Sequence, residues 1–290
     1  MLERAKETTR YGKYTYVEYA RFADDLVVLM DAHPRNAWLL GAVNKRLREE
    51  FAKLKRQTWD ATNYGSWFKP ARGQVIDSLE KTALVKALAG QKYQKALDVG
   101  IGNGRLLPIY ASHAAHVTGM DISSEQLERA GQAARELKVP FDTVLCQEAS
   151  RLELDDDSFD LIICSRVLQH VYNWRESVAE FARILEPGGD LVLLTYNRYC
   201  IYGLKKFYQH KFVNPTKGRF QNALDLSREL KRNGLRIEYF VGALMGQPEL
   251  FAENLSAPAG RLVRIVEGLS AIPAIKYFGG RLVIRARKAS

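Results

Sequence analysis

The sequence predicts an α/β fold. Residues 58–290 read as a doubly wound, seven-stranded sheet, mostly parallel with an antiparallel last strand, preceded by a small β-hairpin plus helix over residues 1–57. Three observations carry this. The run Ala96-Leu97-Asp98-Val99 ends in the triple-glycine turn Gly100-Ile101-Gly102-Asn103-Gly104. Strand-like runs then alternate with helical patterns along the chain. One of those runs, Leu161-Ile162-Ile163-Cys164, is apolar throughout, as a strand must be when helices cover both of its faces.

Length and composition bound the possibilities. A chain of 290 residues can bury a substantial core. Its net charge of +10 is spread out, because residues 1–57 hold 12 basic against 8 acidic side chains. That charge suits nucleic acid, an anionic substrate or a membrane surface alike. Cys146, Cys164 and Cys200 are scattered and form neither a disulfide framework nor a metal motif. No apolar run reaches bilayer length and Met1–Glu7 lacks a signal-peptide core, so the expected location is the cytoplasm.

The appendage differs in character from the rest. Tyr14–Arg21 and Leu26–Met30 are strand-like around the acidic tip Phe22-Ala23-Asp24-Asp25, a hairpin signal. Ala37–Arg56 places Leu39, Val43, Leu47 and Phe51 at helical spacing under a basic outer face. The tip and the helix resemble part of a group II intron-type reverse transcriptase. In that family two acids at this tip hold catalytic metals with a third carboxylate from an earlier strand. Only thirteen residues precede Tyr14, too few for that strand and the template grip, so Asp24 and Asp25 read as solvated turn acids and the segment as a fused remnant.

In the main domain, Val75–Leu88 is a helix turning Ile76, Leu79, Leu84 and Leu88 inward. At the glycine turn the backbone must pass close to a ligand, and a helical pattern over Arg105–Tyr110 follows. Gly104 would let that helix pack closely on the strand. His116–Asp121 is a short strand ending in an acid 23 residues beyond Asp98, where a carboxylate suits the paired hydroxyls of a nucleotide ribose. Ser123 can cap the next helix, with Gln126 as capping-box partner. Asp142–Cys146 is the third strand, Glu176–Leu185 a helix, Glu186-Pro187-Gly188-Gly189 a sharp turn, and Asp190–Thr195, Arg236–Val241 and Gly279–Ala286 the last three strands. Asp155–Asp157 is a solvated turn, because a metal cage needs converging ligands rather than a consecutive run.

Together Asp98-x-Gly-x-Gly-x-Gly104, Asp121, Glu148-Ala149, Ser158-Phe159-Asp160 and Arg183–Gly189 resemble, in order, the class I S-adenosylmethionine-dependent methyltransferases. The likeness is to the Rossmann-like, small-molecule type that includes ubiquinone and menaquinone biosynthesis enzymes. It implies S-adenosylmethionine as cofactor, held by Asp98, Gly100, Gly102, Gly104, Asp121, Ile122, Glu148, Ala149 and Ser165, with no metal. Glu148 stands where Asp is commoner; there an acid accepts from the adenine amino group and the next backbone N–H donates to the ring. The Tyr64-x-x-Trp67-Phe68 segment resembles the family's cofactor lid, and packing of these aromatics under the helix is the alternative. His170 falls where many members carry a histidine, as a general base or a loop support. The Asn/Asp-Pro-Pro-Tyr/Phe motif of nucleobase-amine methyltransferases is absent after Cys164.

Two inserts are expected to set specificity, near 197–222 and 243–278. The first interleaves aromatics with lysines, a pattern that suits a cap over a small molecule, a single nucleic-acid strand or a membrane surface. The reading is methyl transfer from S-adenosylmethionine to an oxygen, carbon or nitrogen of a small molecule. The alternative is a nucleic-acid-binding protein or RNA methyltransferase using the basic N-terminal helix and this insert.

Overall fold

The structure is a computed structural model that describes residues 2–8, 14–22, 25–29, 38, 41–43, 66, 68–146, 148–171, 173–200, 221–243 and 275–289. The chain divides into two compact units, Met1–Lys55 and Arg56–Ser290. In the first, β1 (Leu2–Thr8), β2 (Tyr14–Phe22) and β3 (Asp25–Leu29) form an antiparallel sheet in that order. Phe22 pairs with Asp25, as the hairpin signal predicts, whereas β1 occupies a stretch in which the sequence reading placed no strand. Ala23, Asp24 and most of the Ala37–Arg56 helix lie outside the described residues; Trp38 and residues 41–43 are helical.

The second unit holds a seven-stranded sheet in the order β6-β5-β4-β7-β8-β10-β9. Its strands are β4 (Tyr93–Val99), β5 (Ala114–Asp121), β6 (Phe141–Leu145), β7 (Phe159–Ser165), β8 (Leu185–Tyr196), β9 (Leu235–Ala243) and β10 (Arg281–Lys288). The central pairs are parallel, and β10 runs antiparallel to both β8 and β9. The helices are α1 (Ala71–Leu88), α2 (Leu107–Tyr110), α3 (Ser124–Leu137), α4 (Trp174–Ile184) and α5 (Ala223–Arg232).

Period-two alternation divides the core into two layers. On one face Leu97, Val99, Ile162 and Leu193 pack with Val178 and Phe181 of α4 and with Leu226 and Leu230 of α5. On the other Ala96, Leu161, Ile163, Val192 and Leu194 pack with Leu84 and Leu88 of α1 and with Leu107 and Tyr110 of α2. Asp98 alternates with Leu97 and Val99, so it points toward the α1–α2 side, a polar group among buried carbons.

Several local expectations shift. Helix α1 starts at Ala71 rather than Val75 and leaves Leu79 half-buried. The helix after the glycine turn is a single turn, because the chain spends Arg105 and Leu106 in tight 4→1 bends: Leu107 N–H donates to Gly104 O and Ile109 N–H to Leu106 O. Glu186–Gly189 is an irregularity within β8, where the partner of Phe159 is Leu185 and that of Leu161 is already Asp190. Asp156 and Asp157 pair with Arg183 and Lys288, at 2.6 and 2.7 Å. Among the described residues no helix is long and apolar enough to cross a membrane.

Where β8 takes up its pairing with Leu161, fully buried Asp190 accepts from Tyr93 Oη (2.8 Å), Arg287 Nη2 (2.7 Å) and Arg285 Nη1 (3.3 Å), which ties β4, β8 and β10 together.

Candidate active site

The glycine turn joins the carboxyl end of β4 to α2, at the edge where ligands sit in open α/β sheets. Gly100 has φ +72 and a Cβ there would run into Val167 Cγ2, so no side chain fits. Gly102 has φ +57 and faces open space within 4 Å. Gly104 has φ +77, and a Cβ there would lie 3.3 Å from Ala130 Cα. It therefore seats the turn on α3, not on the strand as the sequence suggested.

Neighbouring elements fasten this turn. Gly100 and Ile101 N–H groups both donate to Met120 O of β5, at 2.7 and 3.1 Å. Asp121 Oδ2 accepts from Gly102 N (2.9 Å) and Oδ1 from Ser123 N (3.0 Å). The carboxylate thus spans the glycine turn and the start of α3. Ser123 caps α3 as expected, its Oγ accepting from Gln126 N at 3.2 Å. The reciprocal half of the capping box is missing, because Asp121 takes the Ser123 N–H and leaves Gln126 Oε1 buried without a partner among the described residues.

Asp98 is a buried acid whose carboxyl is strongly perturbed. Its Oδ2 accepts from Tyr110 Oη at 2.5 Å, while Oδ1 is buried and has no partner among the described residues. Burial pushes its carboxyl up to about 7; the Tyr110 hydrogen bond works against this and the nearby Asp121 charge with it. Asn103 Oδ1 and Ser165 Oγ are likewise buried without partners among the described residues. Ser165 ends β7, one residue beyond the Val99–Cys164 pair. Among the described residues the edge thus collects unsatisfied acceptors and a hydroxyl around a turn whose Gly100 has no room for a Cβ beside Val167.

Cys146 N donates to Asp121 O at 3.0 Å, which brings the end of β6 alongside; Gln147 lies outside the described residues. Glu148 Oε1 accepts from Ser150 Oγ at 2.9 Å, and Ala149 and Ile122 are half-buried. His170 is exposed at the end of the 3-10 turn Leu168–His170. Gln169 Nε2 lies 2.6 Å from Arg166 O and 3.2 Å from His170 Nε2. Which of the two donates in the second contact depends on the tautomer of the His170 ring. Trp59–Gly65 and Trp67 of the lid segment, and the middles of both inserts, lie outside the described residues.

Sequence reasoning missed a second set of residues at this edge. Arg105, Phe68, Arg166, Tyr196 and Arg281 alternate as a ladder of guanidiniums and rings. Arg105 Cζ lies 4.3 Å from the Phe68 centroid and Arg166 Cζ 5.5 Å; from the Tyr196 centroid, Arg166 Cζ lies 5.3 Å and Arg281 Cζ 3.7 Å. Buried Glu80 of α1 closes the ladder, bonded to Arg105 Nη2 (2.9 Å) and Arg281 Nε (3.1 Å); Asp77 also pairs with Arg105. Burial alone would push the Glu80 carboxyl up, but Arg166, Arg281 and Arg105 prevail and hold it below the usual range, so it stays ionised. Asn197 ties the roots of both inserts, pairing with Gln221 and donating from Nδ2 to Tyr277 O (2.6 Å) and Gly279 O (2.9 Å).

Comparison with known proteins agrees with this geometry. Residues 97–193 match the family model described as "Methyltransferase domain". A ubiquinone biosynthesis O-methyltransferase of Coxiella burnetii is 31% identical over 154 residues, covering 52% of this chain and 63% of its own length, so the chain spans less than two thirds of that relative. An S-adenosylmethionine-dependent methyltransferase from Mesorhizobium loti superposes with TM-score 0.52 at 19% identity, covering 71% of this chain and 96% of the other. The geranyl diphosphate C-methyltransferase of Streptomyces coelicolor A3(2), solved with S-adenosyl-L-homocysteine, superposes with TM-score 0.53 at 16% identity, covering 73% and 77%. The glycine turn on β4, the acid ending β5 and the antiparallel β10 therefore belong to a sheet with the class I, Rossmann-like methyltransferase fold, within which residues 97–193 match the methyltransferase-domain model.

Proposed function

We propose that residues 58–290 transfer a methyl group from S-adenosylmethionine to a small-molecule acceptor, leaving S-adenosylhomocysteine. The observation that carries this is the convergence of Gly100, where a Cβ would run into Val167, with Asp121 and with the buried Asp98 Oδ1, Asn103 Oδ1 and Ser165 Oγ, which have no partner among the described residues. These residues suit a ligand that presents hydroxyls and a cationic group.

When bound, the cofactor supplies a sulfonium whose methyl group is already activated. Asp121 can exchange its bond to Gly102 N–H for the ribose hydroxyls. Asp98 faces the cationic end, where a positive charge would offset its burial. Gly100, Gly102, Gly104 and Ile122 shape the turn, and Glu148, Ala149 and Ser165 would complete the set of residues that hold the cofactor when it binds. The protein's main task is alignment and exclusion of water. His170, at the exposed rim, takes the proton of a hydroxyl acceptor once that hydroxyl displaces the Gln169 amide. The name of the Coxiella relative makes a hydroxyl oxygen the first acceptor to test.

Residues 1–57 are read as a fused remnant on the strength of the Phe22–Asp25 tip, and the reduced cysteines support a cytoplasmic location. The decisive experiment is calorimetric titration of S-adenosylmethionine and S-adenosylhomocysteine into the full chain and into Asp121→Ala. Binding that weakens at least about tenfold in the variant supports the reading. No binding by the wild type overturns it, and salt-dependent RNA binding through residues 37–56 and 197–222 becomes the question.

A further inference from the structure

Resting on the methyl-transfer reading, we propose that the acceptor is an anion, a carboxylate or phosphate ester, whose charged group is held by Arg166 at the tip of β7.

The first support is position. Arg166 follows Ser165 directly at the carboxyl end of the central strand, and its N–H donates to Leu194 O at 2.7 Å, so the sheet itself fixes its backbone. The second is backbone conformation. Arg166 has φ +61, a left-handed geometry that side chains other than glycine, asparagine and aspartate seldom adopt, and such strain concentrates at functional positions. In an extended conformation β7 would run on outward; the left-handed bend turns Arg166 back toward Tyr196 and Phe68.

The third support is preorganisation. Nη2 lies 2.5 Å from Tyr196 Oη, and the guanidinium sits between the Phe68 and Tyr196 rings. A planar fork held this way loses less side-chain entropy when it meets an oxyanion and can present two parallel N–H bonds. The fourth is charge. In this cluster Arg105 pairs with Glu80 and Asp77 and Arg281 pairs with Glu80, and the Arg166 charge also helps to hold the Glu80 carboxyl low. Both Glu80 oxygens are already engaged by Arg105 and Arg281. Asp77 also bonds Lys81 at 2.8 Å, so its charge is shared between two cations in a partly buried setting where salt screens weakly.

The test uses the full chain saturated with S-adenosylhomocysteine, which fills the cofactor site and leaves the acceptor side open. Pyrophosphate and benzoate are titrated separately into wild type, Arg166→Gln and Arg166→Lys. The expected result is saturable binding of one of the two, weakened tenfold or more in Arg166→Gln and less in Arg166→Lys, with S-adenosylhomocysteine affinity unchanged within twofold. The anion that binds distinguishes a phosphate-bearing from a carboxylate-bearing acceptor. The proposal is overturned if neither anion binds wild type, if Arg166→Gln binds as tightly as wild type, or if that variant, folded by circular dichroism, loses S-adenosylhomocysteine as well. If Arg166→Gln does not fold, Arg166→Lys decides by the same criterion. Failure of wild type to bind S-adenosylhomocysteine at the outset instead overturns the methyltransferase reading.

Discussion

Tyr110 Oη donates to Asp98 Oδ2 at 2.5 Å, and both side chains are buried between the sheet and α1–α2. The bond joins the acid of the glycine turn to the single-turn helix that follows, and it satisfies one oxygen while leaving the other for a ligand.

Asp98 should make stability depend on pH. Its folded value of about 7 lies above the ordinary 3.8, so the folded state holds a proton the unfolded chain has released. Stability from this group is fully present below the ordinary value and is lost as pH rises through about 7. Between about pH 5 and 7 the loss is on the order of 2 kcal/mol. Urea unfolding of wild type against Asp98→Asn should show the variant gaining over that range; parallel curves would refute the assignment.

Tyr110→Phe removes the bond that favours the Asp98 carboxylate. The folded-state value of Asp98 should rise further, and stability near pH 8 should fall by about 1–3 kcal/mol, with a smaller loss near pH 5. The readout is the same denaturant midpoint at the two pH values.

The turn glycines should separate folding from binding. Gly100→Ala adds a methyl at φ +72 against Val167 and should cost about 3 kcal/mol in thermal unfolding. Gly102→Ala, with open space around it, should cost about 1 kcal/mol yet weaken S-adenosylhomocysteine binding, because the methyl occupies the ligand side. Equal affinity of Gly102→Ala and wild type would place the cofactor elsewhere.

Asp190→Asn probes the opposite end of the sheet. Three cationic or phenolic partners lose their charge complement, and unfolding should be easier by about 3 kcal/mol. Cofactor affinity, measured by calorimetry at a temperature where the variant is folded, should stay within about twofold.

Local order was legible in the chain because it is written in local pattern. The apolar run Leu161–Cys164, the glycine turn after Asp98 and the acid at Asp121 each declare a strand or its end within a few residues, and the structure places them side by side. Ser123 was readable as a cap for the same reason. The Glu80–Arg105–Arg281 network was not, although all three residues stood in plain sight. Glu80 and Arg281 are 201 positions apart, and they meet because β10 inserts between β8 and β9 and so brings its first residue under α1. Hydrophobic period reveals which face of an element is buried but carries no information about which strand lies next to which. The sequence alone therefore determined the class of fold and the turn built for a ligand. Strand order, an essentially non-local property, decided which charges surround that turn, and with them the chemistry the acceptor side can hold.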